Sequence, residues 1–317
     1  MKKSLVTLVV SLILVCSLST SMAAQIMTIG SGGTGGVFYP IASALTSIVN
    51  NNVDGVKINN ESTGGSSDNT RMVGEGEIEL GFTAGDICYF AYNGIEDYEG
   101  NQLPDIRCLF AMYPSQASWT VTKASGIESL YDLAGKNLAV GMAGSGTENS
   151  ARFELPLLGI DYPDGFNPMY IDANESADAM RTGQCDGMHG FGGNPQVALL
   201  ELSQTFEIRC LPFPEEFIDK VIEARPYYYK SVMPANLYIG QDYEVPTYAV
   251  NTLCIINANV DEETAYQITK ACWENVEQLY DSHSMMKNMV ADFVTTGLTV
   301  PLHPGAERYW KEIGILK

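Results

Sequence analysis

Gly30-Ser31-Gly32-Gly33-Thr34-Gly35-Gly36-Val37-Phe38-Tyr39-Pro40 decides how this chain is read. The short apolar run Ile26–Ile29 stands before it, and a helical pattern, Val37–Val49, follows. A strand that runs into a glycine-rich turn and then a helix leaves backbone N–H groups without intrahelical partners, aimed at one spot. That arrangement predicts a site for a small anion.

Working outward, Lys2 and Lys3 precede the apolar run Leu5–Val15, and Ser21-Met22-Ala23 supplies small residues at cleavage positions. This pattern predicts a secretory signal peptide over residues 1–23, cut near Ala23, and a periplasmic destination. Cys16 raises the question of a lipid anchor, but Val15 stands where a small residue is wanted, so none is expected. Export makes the glycine loop a trap for a solute from the cell's surroundings.

The 317-residue chain exceeds one typical domain and suits two. Without Lys2 and Lys3 it carries 16 basic residues against 38 acidic, a net charge of −22. Such a surface disfavours nucleic acid and anionic lipid headgroups. A local nest of N–H groups can still hold an anion, because distant charges are screened beyond about 8–10 Å. Six cysteines follow Cys16, none at CxxC spacing, so no metal cluster is expected. Cys185 and Cys210 form the pair to test for a disulfide, set against free buried thiols.

Strand candidates alternate with helix candidates: Ile26–Ile29, Val56–Asn59, Leu80–Phe82, Ile106–Ala111, Trp119–Thr122, Leu138–Val140, Met169–Ile171, Gly187–Gly190, Ile208–Leu211 and Tyr248–Ile256. This order predicts an α/β fold with parallel sheets covered by helices on both faces. Glu262–Tyr280 and His283–Phe293 read as consecutive amphipathic helices. Crossings are expected near Thr122–Gly126 and Gln241–Thr247. Residues 24–123 and 246–317 then form one discontinuous lobe, residues 124–245 an inserted second lobe, and paired strands a two-stranded hinge suited to closure.

Three further loops repeat the design of the first: Ser62-Thr63-Gly64-Gly65-Ser66, Thr83-Ala84-Gly85-Asp86 and Ala143-Gly144-Ser145-Gly146-Thr147-Glu148. In open α/β sheets ligands sit beyond the carboxyl ends of strands, where such loops gather. The candidate contacts are Gly33, Thr34, Gly35, Gly36, Tyr39, Thr63, Thr83, Ala84, Gly85, Asp86, Ser145, Gly146, Thr147 and Glu148. His189 and Asn194 join them from the end of a later strand; Asn194 reads equally as a cap of the following helix. Thr34, Tyr39, Ser145 and Thr147 are the candidates for carboxylates. Asp86 and Glu148 are candidates for an ammonium group, with helix capping as the alternative for both.

Gly30-x-Gly32-x-x-Gly35 also matches a dinucleotide fingerprint, but NAD is not an extracytoplasmic cofactor, and no cofactor is expected. No HExxH pattern and no GxSxG elbow occurs, so neither a metal site nor a serine hydrolase is expected. Pro226-Tyr227-Tyr228-Tyr229 reads either as cleft-edge contact or as packing.

Taken together, the loops above, with Ala91-Tyr92-Asn93-Gly94, Gly240–Thr247 and Pro301–Tyr309, resemble the TAXI solute-binding subunits of tripartite ATP-independent periplasmic (TRAP) transporters from Ile26 to the C-terminus. The resemblance implies a type II periplasmic-binding-protein fold. It implies closure on a small carboxylate such as glutamate, glutamine or 2-oxoglutarate, and delivery to a membrane permease without catalysis. Two departures from the resemblance fall at expected pocket walls: Ala84-Gly85 before Asp86, and the stretch His189–Pro195. A sensor lobe signalling to a membrane partner, or an enzyme on the same scaffold, are the other readings of such a fold.

Overall fold

The computed structural model describes residues 24–317; the signal peptide expected over 1–23, with Cys16, lies outside them. Ten strands form one sheet in the order β2-β1-β3-β10-β4-β7-β5-β6, with β8 beside β4 and β9 beside β10. One parallel half consists of β1 (Gln25–Gly30), β2 (Val56–Glu61) and β3 (Leu80–Ala84). The other consists of β5 (Asn137–Ala139), β6 (Asn167–Met169) and β7 (Gly187–Gly192). Two long strands join the halves, β4 (Ile106–Thr122) and β10 (Val245–Asn257). They are antiparallel to each other and to their other neighbours β3, β7, β8 (Ile208–Leu211) and β9 (Tyr229–Met233). The parallel pattern expected throughout therefore holds in each half and reverses at the junction. Ile106–Ala111 and Trp119–Thr122, read as separate strands, are one continuous strand.

The helices form for local reasons. In α1 (Phe38–Asn52) the buried residues Ile41, Ala42, Leu45, Ile48 and Val49 recur at helical spacing, giving one apolar stripe against the sheet. Each of the large ones contributes about 1.5–3 kcal/mol relative to exposure. The next helix, α2 (Ser66–Glu75), ends on Gly76 in the left-handed region, and α3 (Gly85–Asn93) on Gly94 likewise. Further on come α4 (Gly146–Leu157), α5 (Ala173–Arg181), α6 (Val197–Ser203) and α7 (Glu215–Ala224). Ser145 caps α4 through its side chain, and Asp172 caps α5 in a full capping box with Glu175.

The C-terminal region departs from its expected form. Glu262–Tyr280 is broken at Asn275 into α8 (Glu262–Glu274) and α9 (Val276–Ser282). Asn275 leaves helical geometry, and its amide donates to the Ala271 carbonyl, giving that carbonyl a side-chain partner. His283–Phe293 yields only a 3₁₀ turn, Ser284–Asn288, because the His283 ring is turned to bond Met285 N and the Pro195 carbonyl. The last helix is α10 (Pro304–Glu312). Strand β9 was not foreseen; its mostly exposed residues leave little apolar signature at an edge.

Four buried clusters pack on the sheet. Ile29, Ile41, Phe82, Phe110, Cys254 and Trp310 belong to one, and Cys88, Ala111, Leu253 and Ile255 to the cluster on the opposite face. Trp119, Val121, Leu155, Phe213, Tyr248 and Val250 form a third, and Met180, Leu199, Cys210 and Tyr238 a fourth. Along β4 the allegiance changes between Tyr113 and Ala117, and along β10 between Val250 and Leu253. Pro114–Gln116 lie opposite Ala249–Asn251 across that seam, and the register shifts at Thr252/Leu253. The cores thus meet inside the boundaries expected from the sequence, at Lys123 and Pro246. All six described cysteines are buried and free, so Cys185 and Cys210 are not bridged. Cys185 Sγ instead bonds the Gly187 carbonyl, and Cys210 Sγ lies 3.6 Å from Thr120 Oγ1.

Candidate functional site

A cavity of about 140 Å³ opens where loops from both halves of the sheet meet. Gly32, Gly33, Gly35, Gly36, Val37 and Phe38 contribute the loop that opens this sequence and the start of α1. Gly64, Gly65 and Ser66 bring the start of α2; Ser145, Gly146 and Thr147 that of α4; Asp172, Ala173 and Ser176 that of α5. Four helix N-termini therefore face one small space. Each presents unpaired N–H groups and the positive end of a helix dipole, equivalent to roughly half an elementary charge. No Lys or Arg lines the cavity among the described residues, so backbone supplies its positive potential.

The loops are held in place from behind. Asn69, fully buried, donates from Nδ2 to the carbonyls of Ser31 and Phe82, both at 2.7 Å, and accepts from Thr63 Oγ1 at 2.6 Å. A Cβ on Gly30 would stand 2.4 Å from Asn69 Oδ1, which is why glycine ends β1. Ser66 Oγ accepts from Ala84 N at 3.1 Å and ties α2 to the end of β3. Thr83 supports the same joint through Thr70 Oγ1 at 2.7 Å.

Of the residues singled out in the sequence, Gly33, Gly35, Gly36, Ser145, Gly146, Thr147 and His189 line the cavity. The others stand elsewhere. Thr34 is an exposed rim residue whose Oγ1 accepts from Asn174 at 3.2 Å. Tyr39 lies past the start of α1, with its carbonyl bonded by Ser43 and Asn60. Thr63 and Thr83 are supports, as above. Ala84 and Gly85 are pressed against β10, where a Cβ on Gly85 would lie 2.9 Å from the Asn251 carbonyl oxygen. Asn194 neither caps α6 nor lines the cavity; it accepts from Tyr238 OH at 3.2 Å and lies 3.4 Å from Gln116 Oε1.

The two carboxylates proposed for an ammonium group are occupied by protein. Asp86 is 1% exposed, and its Oδ2 accepts from Tyr228 OH at 2.6 Å. Burial raises its pKa, and the bond from Tyr228 offsets this only in part. Tyr228 is thus a packing residue and not a cleft-edge contact. Glu148 accepts from Tyr162 OH at 2.6 Å and from Gly144 N at 3.3 Å, and Ser145 Oγ accepts from its N–H.

His189 is anchored from below by Glu154, a fully buried residue of α4, at 3.0 Å. The Glu154 carboxylate also accepts from Trp119 Nε1 at 2.8 Å, Tyr248 OH at 2.6 Å and Ser150 Oγ at 3.1 Å. Burial alone would raise its pKa; the adjacent imidazole and the hydrogen bonds from His189, Tyr248 and Trp119 outweigh burial and hold it below the ordinary value. This cluster ties α4, β4, β7 and β10 together beneath the cavity.

Sequence reasoning missed Asp172, Ser176 and Gln196. Asp172-x-x-Glu175 is the same kind of capping signature as Ser145-x-x-Glu148, at the end of another strand, and would have pointed to the loop. Gln196 is visible only in three dimensions: it fits because its neighbour Gly190 lacks a Cβ, which would stand 2.0 Å from Gln196 Nε2.

Residues 29–314 match the NMT1-like family. The chain belongs to that family. Among solved structures it is similar to the alkanesulfonate-binding protein SsuA from Xanthomonas axonopodis pv. citri bound to MOPS. The TM-score is 0.51 at 14% identity, covering 83% of this chain and 81% of that one. It is also similar to PhnD1 from Prochlorococcus marinus in complex with methylphosphonate (TM-score 0.53, 10% identity, 83% and 95% covered). A third is a putative L-cystine ABC transporter protein from Listeria monocytogenes (TM-score 0.50, 14% identity, 82% and 94% covered). At these identities the likeness establishes a shared α/β fold, the one carried by periplasmic binding proteins.

Proposed function

We propose that this family member is an extracytoplasmic solute-binding protein that closes two lobes around a small carboxylate-bearing solute and delivers it to a membrane permease. The observation that carries the reading is the convergence of four helix N-termini on one cavity. Two of them, α1 and α2, belong to one half of the sheet and two, α4 and α5, to the other. A bound anion then bridges both halves and stabilises the closed state by its differential affinity. Hydrogen bonds to a charged acceptor contribute about 1.5–3 kcal/mol each, and several account for micromolar affinity, about −8 kcal/mol.

Contacts between the two halves support a closed form: Asn174 with Thr34 and Ala198 N with the Gly35 carbonyl at 3.3 Å beside the cavity, and, away from it, Arg152 with Asp97 at 2.5 Å. The hinge lies where the cores meet, at Pro114–Gln116 and Asn251–Thr252, so that 24–123 with 246–317 and 124–245 are the moving bodies in outline. Binding rather than catalysis fits the cavity, whose one imidazole is engaged by Glu154. The motifs shared with TAXI subunits favour a TRAP permease as partner and the periplasm as location.

Native mass spectrometry of freshly purified protein tests the reading by revealing a co-purified small acid. Small-angle scattering with that acid added and removed should show a compact and an extended form. Identical profiles in both conditions would reject closure.

A further inference from the structure

Three buried side-chain amides gather at the end of β7: Gln116, opposite Gly192, with Asn194 and Gln196 just beyond the strand. Two of them are spent within the protein. Gln116 donates from Nε2 to Ser231 Oγ at 2.9 Å and to the Val232 carbonyl at 3.1 Å, and its Oε1 accepts from Asn194 Nδ2 at 3.4 Å. Asn194 Oδ1 accepts in turn from Tyr238 OH at 3.2 Å. Gln196 differs. It is 8% exposed and lines the cavity, yet neither its Oε1 nor its Nε2 is hydrogen-bonded among the described residues. Its backbone is nevertheless fixed: the N–H donates to Tyr238 OH at 2.8 Å, and the carbonyl accepts from Leu200 N at 2.9 Å.

Capping does not account for this side chain. Gln196 precedes α6 at the N-cap position, where Ser, Thr, Asp or Asn is usual, and makes no cap bond. It lies instead over Gly190, another lining residue, where a Cβ would stand 2.0 Å from Nε2. In an open form water satisfies the carboxamide; in the closed form an unpaired one is costly, and the solute is its available partner. Its two ends ask for different things: Nε2 needs an acceptor and Oε1 a donor. An oxo group or a second carboxylate serves only the first, and an ammonium only the second. A hydroxyl serves both.

We propose that Gln196 determines the specificity of this cavity and selects a hydroxy acid, whose hydroxyl meets the Gln196 carboxamide while its carboxylate takes the N–H groups of the helix starts. This rests on the solute-binding reading above.

The test is calorimetric titration of protein stripped of bound solute by unfolding and refolding. The probes are matched sets: lactate, pyruvate and propionate; 2-hydroxyglutarate, 2-oxoglutarate and glutarate; 3-hydroxybutyrate, acetoacetate and butyrate, with both enantiomers of each hydroxy acid. In at least one set the hydroxy acid should bind tenfold or more tightly than its oxo and deoxy counterparts. Gln196→Met keeps the length of the side chain without the amide. It should weaken that hydroxy acid roughly 5- to 150-fold, the range for leaving a buried polar group unpaired, and change the deoxy acid less than twofold. Gly190→Ala, which pushes the amide aside without removing it, should flatten the discrimination in the same way. The Tm of solute-free Gln196→Met should stay level, because the amide bonds nothing in the protein; a marked fall would assign it to the fold and overturn the proposal. Equal weakening of all members of a set, or an oxo or deoxy acid that binds the native protein as tightly as its hydroxy acid in every set, would overturn it too. If no acid of any set binds the native protein, the solute-binding reading itself fails, and the assignment with it.

Discussion

Gly146 opens α4 from one half of the molecule and abuts Ser66, which opens α2 from the other. A Cβ there would stand 2.9 Å from Ser66 Cβ, 3.2 Å from Ser66 Oγ and 3.6 Å from Ile87 Cγ1. Ser66 cannot swing aside, because its Cβ is fixed by backbone and its hydroxyl is held by Ala84 N. Gly146→Ala should therefore oppose the closed state alone. Overpacking of this size costs about 1–3 kcal/mol, which weakens the solute's Kd by roughly 5- to 150-fold. In the open state the same methyl group meets nothing from α2. It also improves helix propensity by about 0.5–1 kcal/mol in full helical surroundings, less at a first turn. The expected signature is a pair of opposite results: calorimetry shows weaker binding, while the melting temperature of solute-free protein stays level or rises. A fall in solute-free stability with unchanged Kd would refute the reasoning, because it would place Gly146 and Ser66 in one permanent contact.

Other perturbations test the buried charges. Asp86 has a pKa raised above 3.8 in the fold, so its contribution to stability is present below the unfolded value and lost as pH rises through the folded one. Asp86→Asn should match the native protein below the unfolded value and exceed it as pH rises toward the folded one in denaturant melts, with solute affinity unchanged; parallel pH profiles would count against this. Glu154 has the opposite sign: its pKa lies below 4.5, so its contribution is present above that value and lost as pH falls through the folded one. Glu154→Gln should cost about 2–4 kcal/mol at pH 7, on the order of 5 °C in Tm, with the gap narrowing below about pH 4.5. A thiol titration should find the six described cysteines unreactive in native protein and all six after denaturation. Burial pushes Cys210 up to about 11 and Cys185 upward as well, so two native-state reactive thiols would contradict the packing described.

Much of the architecture was readable from residue order, because strands and helices declare themselves through short apolar runs, spacing and glycine punctuation. The α/β class, the glycine loop between β1 and α1, and the loop before α4 all follow from such local rules. The signal-peptide pattern is local too, though it lies outside the described residues. What residue order could not supply is depth. Asp86, Ser145 and Glu148 all stand at helix starts after strand ends and look alike in sequence. Only the packing of Tyr228 against Asp86 and of Tyr162 against Glu148 shows that both carboxylates already hold a protein hydroxyl. Gln196 reaches the cavity through the missing Cβ of Gly190, a contact between a strand and a later loop that no periodicity reports. The junction of β4 with β10 likewise depends on pairing between residues more than a hundred positions apart. Local patterns specify which backbone groups are free to bind; the long-range fold decides which of them face the same space.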